Sequence, residues 1–358
     1  MIPYARHLVE DDDIAAVVNV LRNGSLTGGG AVEEFEDQLA SMVGAKHAVA
    51  FSSGTAALHA AAAATGLGSG DLVVTSPLTF VASANCARYV GAQVAFADIH
   101  EDSLNLDLGE VPRTADGLVA VHFAGRPIDL HAVRYRPRVV IEDAAHALGA
   151  ATSDGPVGNC ANSDVCTFSF HPAKNITTGE GGAATTNSPE IARRLRLFRN
   201  HALDRSSSAQ PWRYSIDSMG FNYRLTDFQA ALGSSQLRKL TGWTARRREL
   251  AAYYTAALAG SGVRCPDEVA AGWRHGWHLY VVQVEDRDRV FDEMRQAGVG
   301  VQVHYVPLNH QQTFDAGHSG HLPRCEAVCR RLLSLPLYPM LTAAQQDLVI
   351  DALLAAVG

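Results

Sequence analysis

Ser169-Phe170-His171-Pro172-Ala173-Lys174-Asn175-Ile176-Thr177-Thr178-Gly179-Glu180-Gly181-Gly182 sets a single lysine between a β-type run, residues 165–170, and a glycine-rich turn. Glycine lets a backbone approach a ligand closely, and loops carried by a rigid scaffold are where function concentrates. A lysine fixed there can act as an amine nucleophile and form a Schiff base with a carbonyl compound. Most lysines simply face solvent, so the reading depends on what the rest of the chain brings to the same place.

Outward from this run, short β-rich segments alternate with helix-compatible stretches over residues 45–190, at 48–51, 72–75, 93–97, 118–123, 139–142, 165–170 and 183–186. That alternation predicts an α/β domain with a mainly parallel seven-stranded sheet covered by helices. Between the first two strands, Ser52-Ser53-Gly54 leads into Thr55-Ala56-Ala57-Leu58-His59 and a run of five alanines, nearly pure helix former. Strand, small-residue turn and helix N-terminus together make an anion site, because unpaired N–H groups and the positive end of the dipole face the same point. Gly54 and Thr55 are therefore the expected phosphate cradle. Gly66-Leu67-Gly68-Ser69-Gly70 follows a helix and precedes a strand, the wrong context for a dinucleotide fingerprint.

The strand Val139-Val140-Ile141-Glu142-Asp143 ends in carboxylates, followed by Ala144-Ala145-His146. Ligands of open α/β sheets sit at the carboxyl ends of strands, so Asp143 should share a crevice with Gly54 and Lys174. Phosphate cradle, strand-end carboxylate and loop lysine match pyridoxal 5'-phosphate, with Asp143 on the pyridine nitrogen and His146 in reach of the phenolic oxygen.

Beyond residue 190, helices are expected at 191–200 and 227–248, the latter leading into 253–258. A strand at 278–284, a helix at 289–297, a strand at 301–305 and a final helix at 343–356 form a smaller α+β domain. The division expected is residues 1–240 and 241–358, with the N-terminal segment able to pack on the small domain; the stretch 206–211 is the best candidate for a flexible loop.

With 30 basic and 37 acidic residues among 358, a net charge of −7 and no basic cluster interleaved with aromatics, nucleic acid is not an expected partner. No apolar run is long enough to span a bilayer, and no membrane association is expected. The six cysteines form no C-x-x-C pair, which fits a reducing cytoplasm. A metal reading of His318, His321, Cys325 and Cys329 is the weaker one, since Cys325 and Cys329, ahead of Leu332-Leu333, read as a core-facing helical stripe; no metal is expected.

These segments, with Gly24-Ser25-Leu26-Thr27, Thr79-Phe80-Val81-Ala82-Ser83-Ala84-Asn85, Gly220-Phe221-Asn222-Tyr223-Arg224 and Val303-His304-Tyr305, resemble the DegT/DnrJ/EryC1/StrS sugar aminotransferases, fold-type I pyridoxal-phosphate enzymes. The resemblance runs nearly end to end. It implies Lys174 as Schiff-base lysine and proton shuttle, Phe80 on the ring face, Gly54, Thr55 and Ser169 on the phosphate, and Asn222 reaching a neighbouring subunit's phosphate in a homodimer. It also implies substrate contacts from His304, Tyr305, Arg224 and Arg6.

The activity implied is transfer of an amino group from an amino acid, L-glutamate, to a nucleotide-linked keto sugar. The Lys174 segment and Val121-His122-Phe123-Ala124-Gly125-Arg126-Pro127 look closest to the branch that aminates C4 of UDP-4-keto-6-deoxy-N-acetylhexosamines in the pseudaminic-acid pathway, with the 4-amino-4-deoxyarabinose branch next. Alternatives are a dTDP- or GDP-keto sugar, a cyclitol, or a non-catalytic regulatory member. A sister branch of the family that performs dehydration carries His at the lysine position, whereas Lys174 is present here; Gly28 stands where the family often has a polar residue.

Overall fold

The computed structural model describes residues 1–205, 210, 212–314 and 321–358. The expected loop at 206–211, apart from Gln210 and Trp212 beside it, and His318 of the metal reading lie outside them.

Seven strands form one sheet: β1 (His47–Phe51), β2 (Leu72–Thr75), β3 (Gln93–Phe96), β4 (Gly117–Val121), β5 (Val139–Asp143), β6 (Val165–Ser169) and β7 (Gly182–Thr186). Their spatial order is β1-β7-β6-β5-β4-β2-β3, and only β7 runs antiparallel to its neighbours. β4 and β5 are buried along their whole length, as strands covered on both faces must be. Alternate residues of β1 serve opposite cores: Ala48 and Ala50 face the layer of α2 (Gly30–Val43) and α6 (Asp227–Ala257), while Val49 and Phe51 face α3 (Gly54–Ala64) and α5 (Pro189–Arg199).

The small residues of α3 let it sit between sheet and flanking helices, where almost every residue is buried. Its N-cap is Ser53, whose Oγ accepts from the Ala56 amide at 3.1 Å. The helix α4 (Ala82–Tyr89) follows β2 and covers the same face.

The two helical stretches expected between 227 and 258 form one helix, since nothing between 248 and 253 breaks it. Thr226 and Gln229 close its start in a capping box. Leu237 and Leu240 pack in the sheet's core and Leu250, Ala251 and Tyr254 in a second core, so position 240 lies inside a continuous helix rather than in a linker. That second core gathers β8 (Tyr280–Gln283), α7 (Arg287–Gln296), β9 (Leu332–Leu335) and α9 (Ala343–Val357), with β8 and β9 antiparallel.

The strand expected at 301–305 is absent as such: only Gln302 pairs, with Ser334 of β9, before the chain leaves the ladder and carries His304 and Tyr305 toward the sheet. Leu332 and Leu333, expected on a helical stripe, lie on β9, while Cys325 and Cys329 are buried on α8 (Pro323–Cys329). At the N-terminus Ile2 pairs with Val299 and the Leu337 amide donates to the Tyr4 carbonyl, tying the first residues to the C-terminal core. Glu10, Asp12 and Asp13, the acidic cluster that opens α1 (Asp11–Asn23), all pair with Lys239 of α6. No helix of the described residues is long and apolar enough to cross a membrane.

Gly233 of α6 meets Phe35 of α2, whose ring also stacks edge-on with Phe170 at 5.3 Å. A Cβ there would lie 2.7 Å from the Phe35 ring and 2.9 Å from Thr178 Cγ2. Helix propensity alone would make Gly233→Ala stabilising by about 1 kcal/mol, but overpacking a filled core costs about 1–3 kcal/mol. The clash should win, and urea unfolding of Gly233→Ala should show a lower midpoint than the wild type.

Candidate active site

Three strand ends meet because β1 and β6 both pair with β7 at Gly182, which sits opposite Phe51 on one side and Ser169 on the other. A Cβ on Gly182 would lie 2.4 Å from the Ser53 carbonyl oxygen, so only glycine admits this approach. β5 lies beside β6, which brings Asp143 to the same edge. The result is a cleft of about 410 Å³, closed on its other side by His304 and Tyr305.

At one end lies the N-terminus of α3. Among the described residues the Gly54 and Thr55 amides have no protein acceptor, while the next two amides are taken by Ser53. Ser169 stands against them: a Cβ on Gly54 would come within 2.8 Å of Ser169 Cβ and 3.2 Å of its Oγ. Two open amides, a helix dipole and a hydroxyl around a gap lined by a glycine constitute a phosphate-sized anion cradle.

Lys174 sits on a turn closed by its own amide, which donates to the His171 carbonyl at 2.8 Å. The next residue anchors the turn, since Asn175 Nδ2 donates to the carbonyls of Leu148 at 3.0 Å and Gly276 at 2.8 Å. Burial brings the Lys174 amine down to about 8, with Asp143 pulling the other way. His146, His278 and His304 line the same cleft. Burial and then the neighbouring positive groups hold His146 and His278 well below their ordinary value, and bring His304 to about 4 through burial and Lys174. All three are neutral near pH 7.

Tyr305 Oη lies 3.2 Å from His146 Nε2. Burial raises the phenol and lowers the imidazole, so both are neutral and share one proton across this contact, while His146 Nδ1 is a buried atom with no partner among the described residues. Asp143 Oδ1 accepts from the Ala145 amide at 3.1 Å and Oδ2 from Ser83 Oγ at 2.6 Å.

Of the residues singled out in the sequence, Gly54, Thr55, Phe80, Asp143, His146, Ser169, Lys174, His304 and Tyr305 line this one cleft. Phe80 is 56% exposed and stands on the cleft wall, its ring 6.2 Å from that of Tyr305, so it is not a core residue. Three others lie apart: Asn222 is exposed and bridges to Asn200, Arg224 donates to Asn200 Oδ1 at 2.5 Å in a separate groove, and Arg6 is exposed near the N-terminus. The sequence reading missed Tyr4, Thr79, Ser83 and His278. Thr79 and Ser83, spaced four apart just after β2, had a signal in that spacing; Tyr4 and His278 reach the cleft only through tertiary packing.

The residues present fit pyridoxal phosphate: open amides with Ser169 for a phosphate, the Asp143 carboxylate for a ring nitrogen, the His146 imidazole with its unpartnered Nδ1 in the cleft wall, and an amine of lowered proton affinity. Fold and cleft together define a fold-type I pyridoxal-phosphate transferase.

The model of the DegT/DnrJ/EryC1/StrS aminotransferase family matches residues 8–354, and the chain belongs to that family of pyridoxal-phosphate-dependent sugar aminotransferases. It is 37% identical to the spore coat polysaccharide biosynthesis protein SpsC of Bacillus subtilis, over 98% of this chain and 96% of that one. Among solved structures it resembles the pyridoxal-phosphate form of the Spr1654 protein of Streptococcus pneumoniae, with 26% identity, a TM-score of 0.92 and coverage of 99% and 98%. Helicobacter pylori PseC, an aminotransferase of pseudaminic acid biosynthesis, matches with 27% identity and a TM-score of 0.91 over 99% of both chains.

The lowered value of Lys174 has a direct consequence for the cofactor-free protein. Only the neutral amine reacts, so modification of Lys174 by an amine-directed reagent should rise with pH and level off above about 8, where an ordinary lysine would still be accelerating. Peptide mapping of the modified protein across pH 6–11 measures it.

Proposed function

We propose that this chain moves an amino group from L-glutamate to C4 of a UDP-linked 4-keto-6-deoxy sugar. The observation that carries the reading is the meeting of Lys174, Asp143 and the open amides of Gly54 and Thr55 in one cleft. A sugar acceptor is supported by the polysaccharide and pseudaminic acid biosynthesis named for SpsC and PseC.

In this reading Gly54, Thr55 and Ser169 hold the phosphate, Asp143 faces the pyridine nitrogen, Phe80 covers the ring and His146 hydrogen-bonds the phenolic oxygen. Bound pyridoxal phosphate supplies an electron sink and carries the nitrogen between the two half-reactions. Lys174 Nζ takes the proton from Cα of the amino donor and later delivers one to the sugar carbon that receives nitrogen. Its depressed proton affinity leaves part of it neutral near pH 8, so it can act as a base without a further partner. The neutral imidazoles of His146, His278 and His304 leave the cleft free of added positive charge, and His304 and Tyr305 face the sugar.

A sugar diphosphate calls for cationic partners, yet among the described residues of one chain no arginine lines the cleft. Asn222 and Arg224 lie away from their own cleft and follow in sequence a stretch with exposed apolar side chains at Trp212, Tyr214, Ile216 and Met219. Four large apolar side chains exposed along one short stretch suit a surface that a partner subunit covers. The reading is therefore a homodimer in which these residues serve the neighbour's cleft. The six cysteines are free thiols, which suits a reducing cytoplasm.

Borohydride treatment of protein loaded with pyridoxal phosphate should fix the cofactor to Lys174, as read by peptide mass, and L-glutamate should protect against it. Transfer to a panel of UDP- and dTDP-keto sugars then tests the acceptor; turnover with dTDP sugars alone would refute the UDP assignment. Sharing of clefts has its own test. Lys174→Ala and Asn222→Ala homodimers should each be impaired, whereas mixed dimers carry one intact cleft and should regain up to about half of the activity per dimer.

A further inference from the structure

Asp143 is held by a one-way hydroxyl chain. Ser83, on the first turn of α4 and without solvent exposure, gives its only proton to Asp143 Oδ2 at 2.6 Å, in the short range of hydrogen bonds to an ionised oxygen. An ionised carboxylate only accepts. The 2.7 Å contact between Thr79 Oγ1 and Ser83 Oγ must then have Thr79 as donor. The order Thr79 to Ser83 to Asp143 is fixed by proton count alone.

All three side chains are buried, at 2%, 0% and 5% exposure, so water has little access to replace a missing link. The titratable groups coupled to Asp143 from the surrounding elements are Lys174, Tyr305, Cys86 of α4 and Cys166 of β6. None of them donates to it: Cys86 Sγ points at the Ser83 carbonyl, and burial followed by the Asp143 charge pushes the Cys86 thiol up to about 12. Ser83 is thus the one side-chain donor to the carboxylate among the described residues, and the Ala145 amide is the other donor.

Resting on the pyridoxal-phosphate reading above, we infer that Ser83 and, through it, Thr79 are positioning residues that clamp the Asp143 carboxylate in the orientation that holds the proton on the cofactor's ring nitrogen. One donor from α4 and one from the turn that follows β5 engage one oxygen each, which resists rotation of the carboxylate about its last bond. Without Ser83 it is held by one amide only.

Full-length wild type, Thr79→Ser, Thr79→Val and Ser83→Ala are loaded with ¹⁵N-labelled pyridoxal phosphate, and the ring-nitrogen resonance is followed from pH 6 to 9 beside the single-turnover rate with L-glutamate. Loss of a hydrogen bond to a charged group should weaken the hold on the ring proton about 10- to 100-fold in Ser83→Ala. Thr79→Val should show a smaller shift in the same direction, and Thr79→Ser, which keeps the hydroxyl, should match the wild type. The half-reaction rate should fall with the shift while the KM for L-glutamate stays nearly constant. If Ser83→Ala does not fold, Thr79→Val against Thr79→Ser decides. Unchanged ring-nitrogen titrations in the folded hydroxyl-deleted variants, even with lower melting temperatures, would leave only a structural role and overturn the inference. Failure of the wild type to bind the cofactor at Lys174 would instead overturn the reading beneath it.

Discussion

The cleft depends on how closely two strand ends can approach a third. Gly182 lies between Phe51 and Ser169, and any side chain there would meet the Ser53 carbonyl, so the turn into α3 and the end of β6 touch only because position 182 has no Cβ. Gly54 extends the same constraint, with Ser169 filling the space its side chain would take. Widen that contact and the open amides move away from the loop that carries Lys174.

Charge in the cleft follows from burial more than from pairing. Burial lowers the proton affinity of Lys174 and of three nearby imidazoles, while Asp143 works against it at the lysine. An unpaired buried ammonium is costly, and the amine loses its proton more readily instead. The same physics that makes Lys174 a nucleophile near neutral pH keeps its histidine neighbours from competing as cations.

The hydroxyls behind Asp143 and the backbone bonds of Asn175 have a common purpose: they hold reactive groups on rigid elements. Asn175 ties the lysine turn to the segments after β5 and before β8, so one side chain joins the strand-end loops to the part of the chain that supplies His278. Reactive geometry of this kind comes from supporting contacts, and truncating the supports should alter it as surely as truncating the reactive groups.

Much was legible in the sequence because the signals were local. Short β-rich runs set the seven strands, the alanine run after Ser53-Gly54 set α3, and strand-end position pointed Asp143 and Lys174 at one crevice. Where local signals were mixed the reading slipped: residues 301–305 have strand composition, yet a ladder needs a partner, and of these residues only Gln302 pairs with β9. Nor could spacing reveal that Ser83, sixty residues from Asp143, is its hydrogen-bond donor, or that Tyr4 and His278 line the cleft. The sequence by itself determined which elements form and which residue types sit at strand ends, since propensity and periodicity act over a few residues. Only the tertiary structure decided which side chains face Lys174, that Arg224 and Asn222 turn away from their own cleft, and how far the lysine's proton affinity falls, because burial and long-range contacts arise only when distant segments pack.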